Sequence, residues 1–456
     1  MKEQITKISE KTLDNVIQDL QDVVRIPSVR NLEDKAKGAP FGTQIRKALD
    51  TVLAKAQDYG MRTYVDPEGY YGYIEVGPKD AKEMVGIVGH LDVVPAGDEE
   101  QWTEAPAFSG EIVDEKLVSR GSLDDKGPVI INLHAVKNLV DLGVEFKKRV
   151  RIILGTAEET TWECMDKYLE KEEKPTISYS PDANFPLIHA EKTIIQFDAN
   201  IKSSAEFEVE SLGAYNAVAD KAIYRGSKVS ELIAELEKLS YEYEKISDKE
   251  VKVIGKGAHA MACHLGINAI ARLCIALNNI GETSPAVEFI ATYVKETHGA
   301  ELIQGEIKDE ISGELKFNIG RMLIKDGNEN IGMDTRIPVL VDEKEILKKY
   351  KTLIEENGFE YVHGKTQDKL YVEEDSFLVS TLMKVYKDVT GEVDAKPLTS
   401  GGGTYARALD NCVAFGCVFE SQNMIDKMHQ PNECFELKFL QPALEIYTNA
   451  INELLK

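Results

Sequence analysis

The sequence predicts an α/β fold in which a core of alternating strands and helices is interrupted by an inserted α+β unit. Three observations carry this. The 456 residues exceed what one hydrophobic core usually supports, so more than one domain is expected. Up to about residue 190, short apolar runs alternate with stretches of helical periodicity, the pattern of a sheet with helices on its faces. Near Glu191 this gives way to apolar/polar alternation, as in a half-exposed antiparallel strand, and the first pattern returns only near Glu374. The expected boundaries are 1–190 plus 374–456 for the core and 191–373 for the insertion.

Element by element, Thr12 to Val24 has the apolar stripe of an amphipathic helix. "YYGYIEVG" and "EMVGIVGHLDVV" read as strands, and Asp125 to Leu142 as a long helix. "VRIILGT" is a strand, "TWECMDKYLEKE" a helix and "TISYSPD" a strand. In the insertion, "TIIQFDANIKSSAEFEVES" alternates as one strand. Helices are expected at Lys228 to Leu239 and Gly266 to Ile280, then strands around "ELKFNIGRMLIKDG" and "NIGMDTRIPVLV" and a helix from near Asp342. The core resumes with a helix at Ser376 to Val389, a strand "CVAFGCVF" and a final helix from Leu440 to Leu455.

The net charge of −24 argues against nucleic-acid and membrane partners, since such a surface repels phosphate backbones and anionic lipid. The N-terminal "MKEQITKISEKTLDNVIQDL" lacks the apolar core of a signal peptide, and no apolar run approaches the length that spans a bilayer. A cytoplasmic location is expected. The six cysteines form no CxxC pair and read as reduced thiols.

The chemistry collects at strand ends, where open α/β sheets place their sites. "VGHLDVVP" carries His90 and Asp92, "SRGSLDDKGP" Asp124, "GTAEET" Glu158 and Glu159, "SPDANFP" Asp182, and "DKMHQPNE" His429. Each has an ordinary structural role open to it. His90 could be a satisfied histidine and Asp92 a turn-former. Asp124 and Asp125 could cap the next helix, Asp182 could form an Asx turn, and His429 could be a surface residue. Adjacent glutamates are mostly solvated surface. Jointly, two imidazoles and several carboxylates at strand-to-loop junctions fit the donor count of a site for two divalent ions, with zinc, manganese or cobalt suited to the mixed set.

These motifs resemble, essentially end to end, the dinuclear metallopeptidases that include aminoacylase and glutamate carboxypeptidase, and within them the bacterial PepV-type dipeptidases. "HLDVVP", "RGSLDDKGP" and "AEET" resemble the first-ligand, bridging-aspartate and base-plus-ligand motifs. "SPDANFP", "GAHAMACHLGINA", "SGGGTYAR" and "MHQPNE" resemble the subgroup. Cys263 departs from it, where relatives commonly carry proline.

The resemblance implies a zinc-peptidase-like catalytic domain with an inserted two-lobed lid, acting as a metal-dependent dipeptidase. An N-acyl-amino-acid deacylase on the same site is the nearest rival, and a catalytically silent binding protein the more distant one. It assigns His90 and Asp182 to one metal, Glu159 and His429 to the other, and Asp124 to both, with zinc first among the ions and manganese or cobalt as alternatives. Asp92 would stand behind His90, accepting its second ring N–H. Glu158 would be the general base. His259 would face the metals from the lid as oxyanion partner, with Asn216 beside it. Arg336 would bind the substrate carboxylate, since a guanidinium grips carboxylates bidentately. The loop Gly401, Gly402 and Gly403, before an expected helix, would offer N–H groups to the same carboxylate. The resemblance also implies a cis Asp124–Asp125 peptide. The length of the insertion, with "TSPAVEFIATYVKETHGAELIQG" as its surplus, implies a monomer whose His259 serves its own chain.

Overall fold

A computed structural model describes residues 1–298, 307–419, 421 and 427–456. The chain divides into two compact units. One comprises Met1–His189, Tyr371–Leu398 and Thr404–Lys456, the other Ala190–Leu370 with the short strap Thr399–Gly403.

In the first unit, a mixed sheet runs in the order Arg62–Val65, Tyr71–Val76, Arg149–Gly155, Met84–His90, Ile177–Ser180, Cys412–Ala414. The last four of these strands are mutually parallel. Met84–His90 and Arg149–Gly155 are buried along their whole length, as the apolar runs require of strands covered on both faces. The chain leaving Met84–His90 crosses to one side, through the helix Lys126–Asp141 to Arg149–Gly155. It then returns across to Ile177–Ser180, whose other neighbour is Cys412–Ala414. A crevice therefore opens beyond the carboxyl ends of Met84–His90 and Ile177–Ser180, the topological switch point where such sheets bind ligands.

The first helix spans Lys2–Val24, beginning ten residues before the expected element. Its early turns bury Ser9 and Thr12 in place of apolar side chains, so hydrophobic periodicity did not reveal them. The helix Thr43–Asp58, absent from the expected elements, buries Ile45, Ala48, Leu49 and Val52 at helical spacing. "CVAFGCVF" forms two short strands, Cys412–Ala414 and Cys417–Val418. All six cysteines are buried thiols. No helix among the described residues is long and apolar enough to cross a membrane.

The second unit is an antiparallel eight-stranded sheet, in the order Tyr243–Ser247, Glu250–Ile254, Lys221–Arg225, Glu208–Leu212, Lys316–Lys325, Asn328–Ile337, Thr193–Lys202, Glu360–Gln367. The single strand expected over Thr193 to Ser211 is broken between Lys202 and Glu208. Helices Val229–Leu239, Ala269–Asn279 and Glu343–Glu356 contribute Leu232, Leu273 and Tyr350 to one core with Phe197, Ile319 and Met333 of the strands. Of the expected surplus segment, Pro285–Phe289 and Ile290–Val294 are helical; 299–306 lie outside the described residues.

Candidate metal centre

Met84–His90 ends on His90, and its penultimate residue must be glycine. A Cβ on Gly89 would stand 2.5 Å from Asp125 Oδ2 and 2.6 Å from Val129 Cγ2. That close approach brings the start of the helix Lys126–Asp141 against the strand. Asp125 does not cap this helix with its side chain; its carboxylate instead accepts the His90 backbone N–H at 3.0 Å. The Asp124–Asp125 peptide is cis.

The His90 ring is 1% exposed, so every contact it makes counts. Nδ1 lies 2.9 Å from the backbone carbonyl of Asp92 and 3.5 Å from the Asp92 carboxylate. The carbonyl is the nearer acceptor, and it fixes the proton on Nδ1 in the neutral ring. Nε2 is left as a lone pair, the ligating form of imidazole. This differs in detail from the expectation that the Asp92 carboxylate takes the ring N–H. That carboxylate accepts the backbone N–H groups of Glu158 at 3.0 Å and Glu159 at 3.2 Å.

His90 Nε2 lies 2.9 Å from Asp124 Oδ1 and 3.6 Å from Asp182 Oδ2. Despite that proximity, Nε2 and Asp124 Oδ1 are both buried without a properly oriented hydrogen bond. On its other side Asp124 places Oδ2 2.9 Å from His429 Nε2, which is also 3.1 Å from Glu159. Two groups result, His90–Asp124–Asp182 and Asp124–Glu159–His429, sharing Asp124, with the donor atoms of each within 4.8 Å of one another. Buried donors such as His90 Nε2 and Asp124 Oδ1, converging without a hydrogen bond, suit a divalent cation, whereas His429 is half exposed and pairs with Glu159. Glu158 belongs to neither group.

Crowding of carboxylates and imidazoles shifts the titration of the whole cluster. Burial, then the charge of Asp182 and Glu159, pushes the Glu158 carboxyl well above the usual carboxylate range. Burial and Asp124 push Glu159 up to about 7. Burial would depress His429, but Asp124 and Glu159 outweigh it and raise the imidazole to about 11. His90 is likewise raised against its burial by Asp124, Asp182 and Asp92.

The remaining expected residues lie in the second unit. His259 caps the turn Ala260–Leu265, its Nδ1 accepting the Met261 N–H at 3.3 Å, which leaves Nε2 as the protonated nitrogen of the neutral ring. Asn216 is its neighbour: the Asn216 carbonyl accepts the Ala260 N–H at 2.8 Å, and Ala217 bridges to His259. Arg336 is buried and already carries a carboxylate. Its Nε and Nη2 donate to Asp334 at 2.6 and 3.0 Å, and Nη1 donates to the Gly401 carbonyl at 2.8 Å. The Gly401–Gly403 loop leads into a four-residue 3-10 turn, Tyr405–Ala408, and not into the helix expected there, so no helix dipole stands behind its N–H groups. Gly402 N–H donates to Ser400 Oγ at 2.9 Å.

Sequence reasoning missed Asp125 as a support for His90. It also missed Arg120 and Glu433, which form a buried ion pair at 2.7 Å beside the cluster. Each sits four residues from an expected ligand, Asp124 and His429 respectively, but nothing local marks them as partners.

Residues 86–453 match the family model described as Peptidase family M20/M25/M40. A Staphylococcus saprophyticus protein described as "Putative dipeptidase" is 36% identical, over 97% of each chain. A similarly described Staphylococcus haemolyticus protein is 35% identical over 96% of this chain and 97% of its own. Among solved structures, human carnosine dipeptidase 1 aligns over 100% of both chains with a TM-score of 0.60 at 14% identity. A Saccharomyces cerevisiae dipeptidase aligns over 100% of this chain and 98% of its own, with a TM-score of 0.61 at 11% identity. At such identities these structures show the shared fold alone.

Proposed function

The chain belongs to peptidase family M20/M25/M40 and is a metal-dependent dipeptidase, and on that premise we propose how its residues divide the work. The observation that carries the proposal is the pair of donor groups sharing Asp124, with His90 Nε2 and Asp124 Oδ1 buried and unmet. His90 and Asp182 hold one divalent ion, Glu159 and His429 a second, and Asp124 touches both. Zinc is the first choice for this nitrogen and carboxylate set, with manganese or cobalt as alternatives. The chemistry such ions supply when bound is Lewis acidity, which acidifies water and polarises the scissile carbonyl.

Glu158 is the general base. It stands next to Glu159 but outside both donor groups, so its carboxylate is left to accept a proton from the attacking water and pass it to the leaving amine. Asp92 positions it through the backbone amides of Glu158 and Glu159. His259, protonated on Nε2, donates to the tetrahedral oxyanion, with Asn216 beside it. Arg336 binds the substrate carboxylate with the two N–H groups that Asp334 and Gly401 leave over, and the Gly401, Gly402 and Gly403 loop assists. The enzyme works in the cytoplasm as a monomer on small peptides, and nucleic acid and membrane are not partners.

The test is a panel of dipeptides, tripeptides and N-acetyl-dipeptides on metal-reconstituted enzyme, with metal content measured on the same sample. Dipeptide hydrolysis with two equivalents of metal is expected. One equivalent at full activity would refute the two-ion assignment, and preference for the N-acetyl substrates would refute the free-amine specificity.

A further inference from the structure

We propose that Arg120 and Glu433 are positioning residues that clamp together the loops bearing Asp124 and His429, and so set the affinity for the ion those two residues share. The proposal rests on the two-ion reading above.

Arg120 is 1% exposed and Glu433 fully buried. Arg120 Nη1 donates to Glu433 Oε2 at 2.7 Å and to the Gln430 carbonyl at 3.2 Å, and Nη2 reaches the Pro95 carbonyl at 3.4 Å. Its guanidinium carbon lies 5.3 Å from the centre of the Trp102 ring. The other Glu433 oxygen, Oε1, accepts the backbone N–H of Leu123 at 2.9 Å and of Asp124 at 3.3 Å. The Glu433 carbonyl accepts the Ser119 N–H at 3.0 Å.

The pair therefore spans two loops. Glu433, four residues after His429, holds the amides that aim Asp124. Arg120, four residues before Asp124, holds the carbonyl next to His429. A shift of either loop must break charge-assisted bonds between buried side chains, where an unpaired charge is costly. By contrast, Asp182 follows the strand Ile177–Ser180, and none of these contacts touches it. Loosening the clamp should weaken the Asp124–Glu159–His429 group most, since two of its ligands shift, and the ion of His90 and Asp182 less, since it feels the change through Asp124 alone.

Glu433→Gln keeps a carbonyl oxygen for the Leu123 and Asp124 amides but loses the ion pair. Zinc affinities of the apo chain are measured by competition with a chromophoric chelator, alongside the apo-protein melting temperature. Expected is a roughly 10- to 100-fold weaker affinity for one ion, the usual scale for a residue supporting a metal ligand. The other affinity stays within about threefold, and turnover returns when zinc is raised. The double variant Arg120→Met/Glu433→Gln guards against a folding defect from one stranded charge. If the pair acts as a unit, it binds zinc no worse than the worse single variant. Two wild-type affinities in Glu433→Gln would overturn the proposal. So would equal weakening of both ions with a lowered apo melting temperature, which marks general support of the fold. A wild-type chain that fails to bind two ions would instead overturn the reading on which the proposal rests.

Discussion

Replacing Asp92 by asparagine separates two roles that one side chain could play. The Asp92 carboxylate is 1% exposed and accepts two backbone N–H groups, those of Glu158 and Glu159, while its main-chain carbonyl takes the His90 Nδ1 proton. Asparagine keeps one acceptor oxygen but turns an NH2 group toward the second backbone N–H. One charge-assisted bond is lost, at about 1.5–3 kcal/mol. If that loss falls on the placement of Glu158, kcat drops roughly 10- to 150-fold, at about 1.4 kcal/mol per tenfold. The His90 tautomer survives, because its partner is main chain. The assay is steady-state dipeptide hydrolysis at saturating metal, with metal analysis of the same preparation. Expected is a low kcat with both ions retained. Loss of an ion, with normal turnover per occupied site, would show that the carboxylate serves His90 and that the N–H bonds to Glu158 and Glu159 do not govern the base.

Glu158→Gln should lower turnover by about 10²–10⁴-fold with both ions still present; loss of metal would mean that Glu158 and Glu159 have been assigned the wrong way round. His90→Ala and Asp182→Ala should each lose chiefly one ion by elemental analysis, whereas Asp124→Ala should lose both. Away from the site, Asp19 is a buried carboxylate bonded to His134 and Lys55, each at 2.8 Å, and to Tyr59; these bonds outweigh its burial and hold it at about 2. A depressed carboxylate stabilises the fold above its unfolded pKa and ceases to as pH falls through its folded value. Asp19→Asn should therefore cost about 2 kcal/mol near neutral pH, with about half of that difference gone by about pH 3. Denaturant midpoints of both proteins across that range check it, and a gap independent of pH would refute the ion-pair account. Finally, mixing a Glu158→Gln chain with a His259→Ala chain should restore no activity if each His259 serves its own chain; recovered activity would refute the monomer.

Three of the five candidate ligands were legible because each ends or follows a strand of the parallel sheet, and those ends meet at one edge; Asp124 and His429 lie in loops away from these strand ends. His90 closes Met84–His90, Glu159 follows Arg149–Gly155, and Asp182 follows Ile177–Ser180. What stayed hidden has physical causes. Asp125 looked like a helix cap because it occupies the capping position, yet its carboxylate is drawn to the His90 N–H by the gap that Gly89 leaves. Glu433 and Arg120 are 313 residues apart in the chain, and a charge that folding will bury carries no local mark. Asp334 could have been found: it lies two residues before Arg336 on one strand, and period two puts both on the same face. The 3-10 turn after the glycine loop could not, since Ala406, Arg407 and Ala408 are all good helix formers.

The adjacent glutamates now have a physical account. Two carboxylates about 5 Å apart repel by roughly 3 kcal/mol at an effective dielectric near 20, so neighbours in a buried crevice need separate destinations. Asp92 supplies the fork by taking the N–H of both residues, which fixes the backbone from which the side chains depart. Glu159 turns to His429 and Asp124, and Glu158 stays outside both donor groups. Asp92, Asp124, Asp182 and both glutamates outnumber the two imidazoles, His90 and His429, that lie among them. The buried cations nearby are committed elsewhere, Arg120 to Glu433 and Lys126 to the Ile26 carbonyl at 2.6 Å. His90 Nε2 and Asp124 Oδ1 are buried with no hydrogen-bond partner, as the proposed ligand atoms of a cation would be. In the proposed division, Asp124, Asp182 and Glu159 would hold divalent ions, Asp92 is taken up by the two backbone amides, and Glu158 would remain to move a proton.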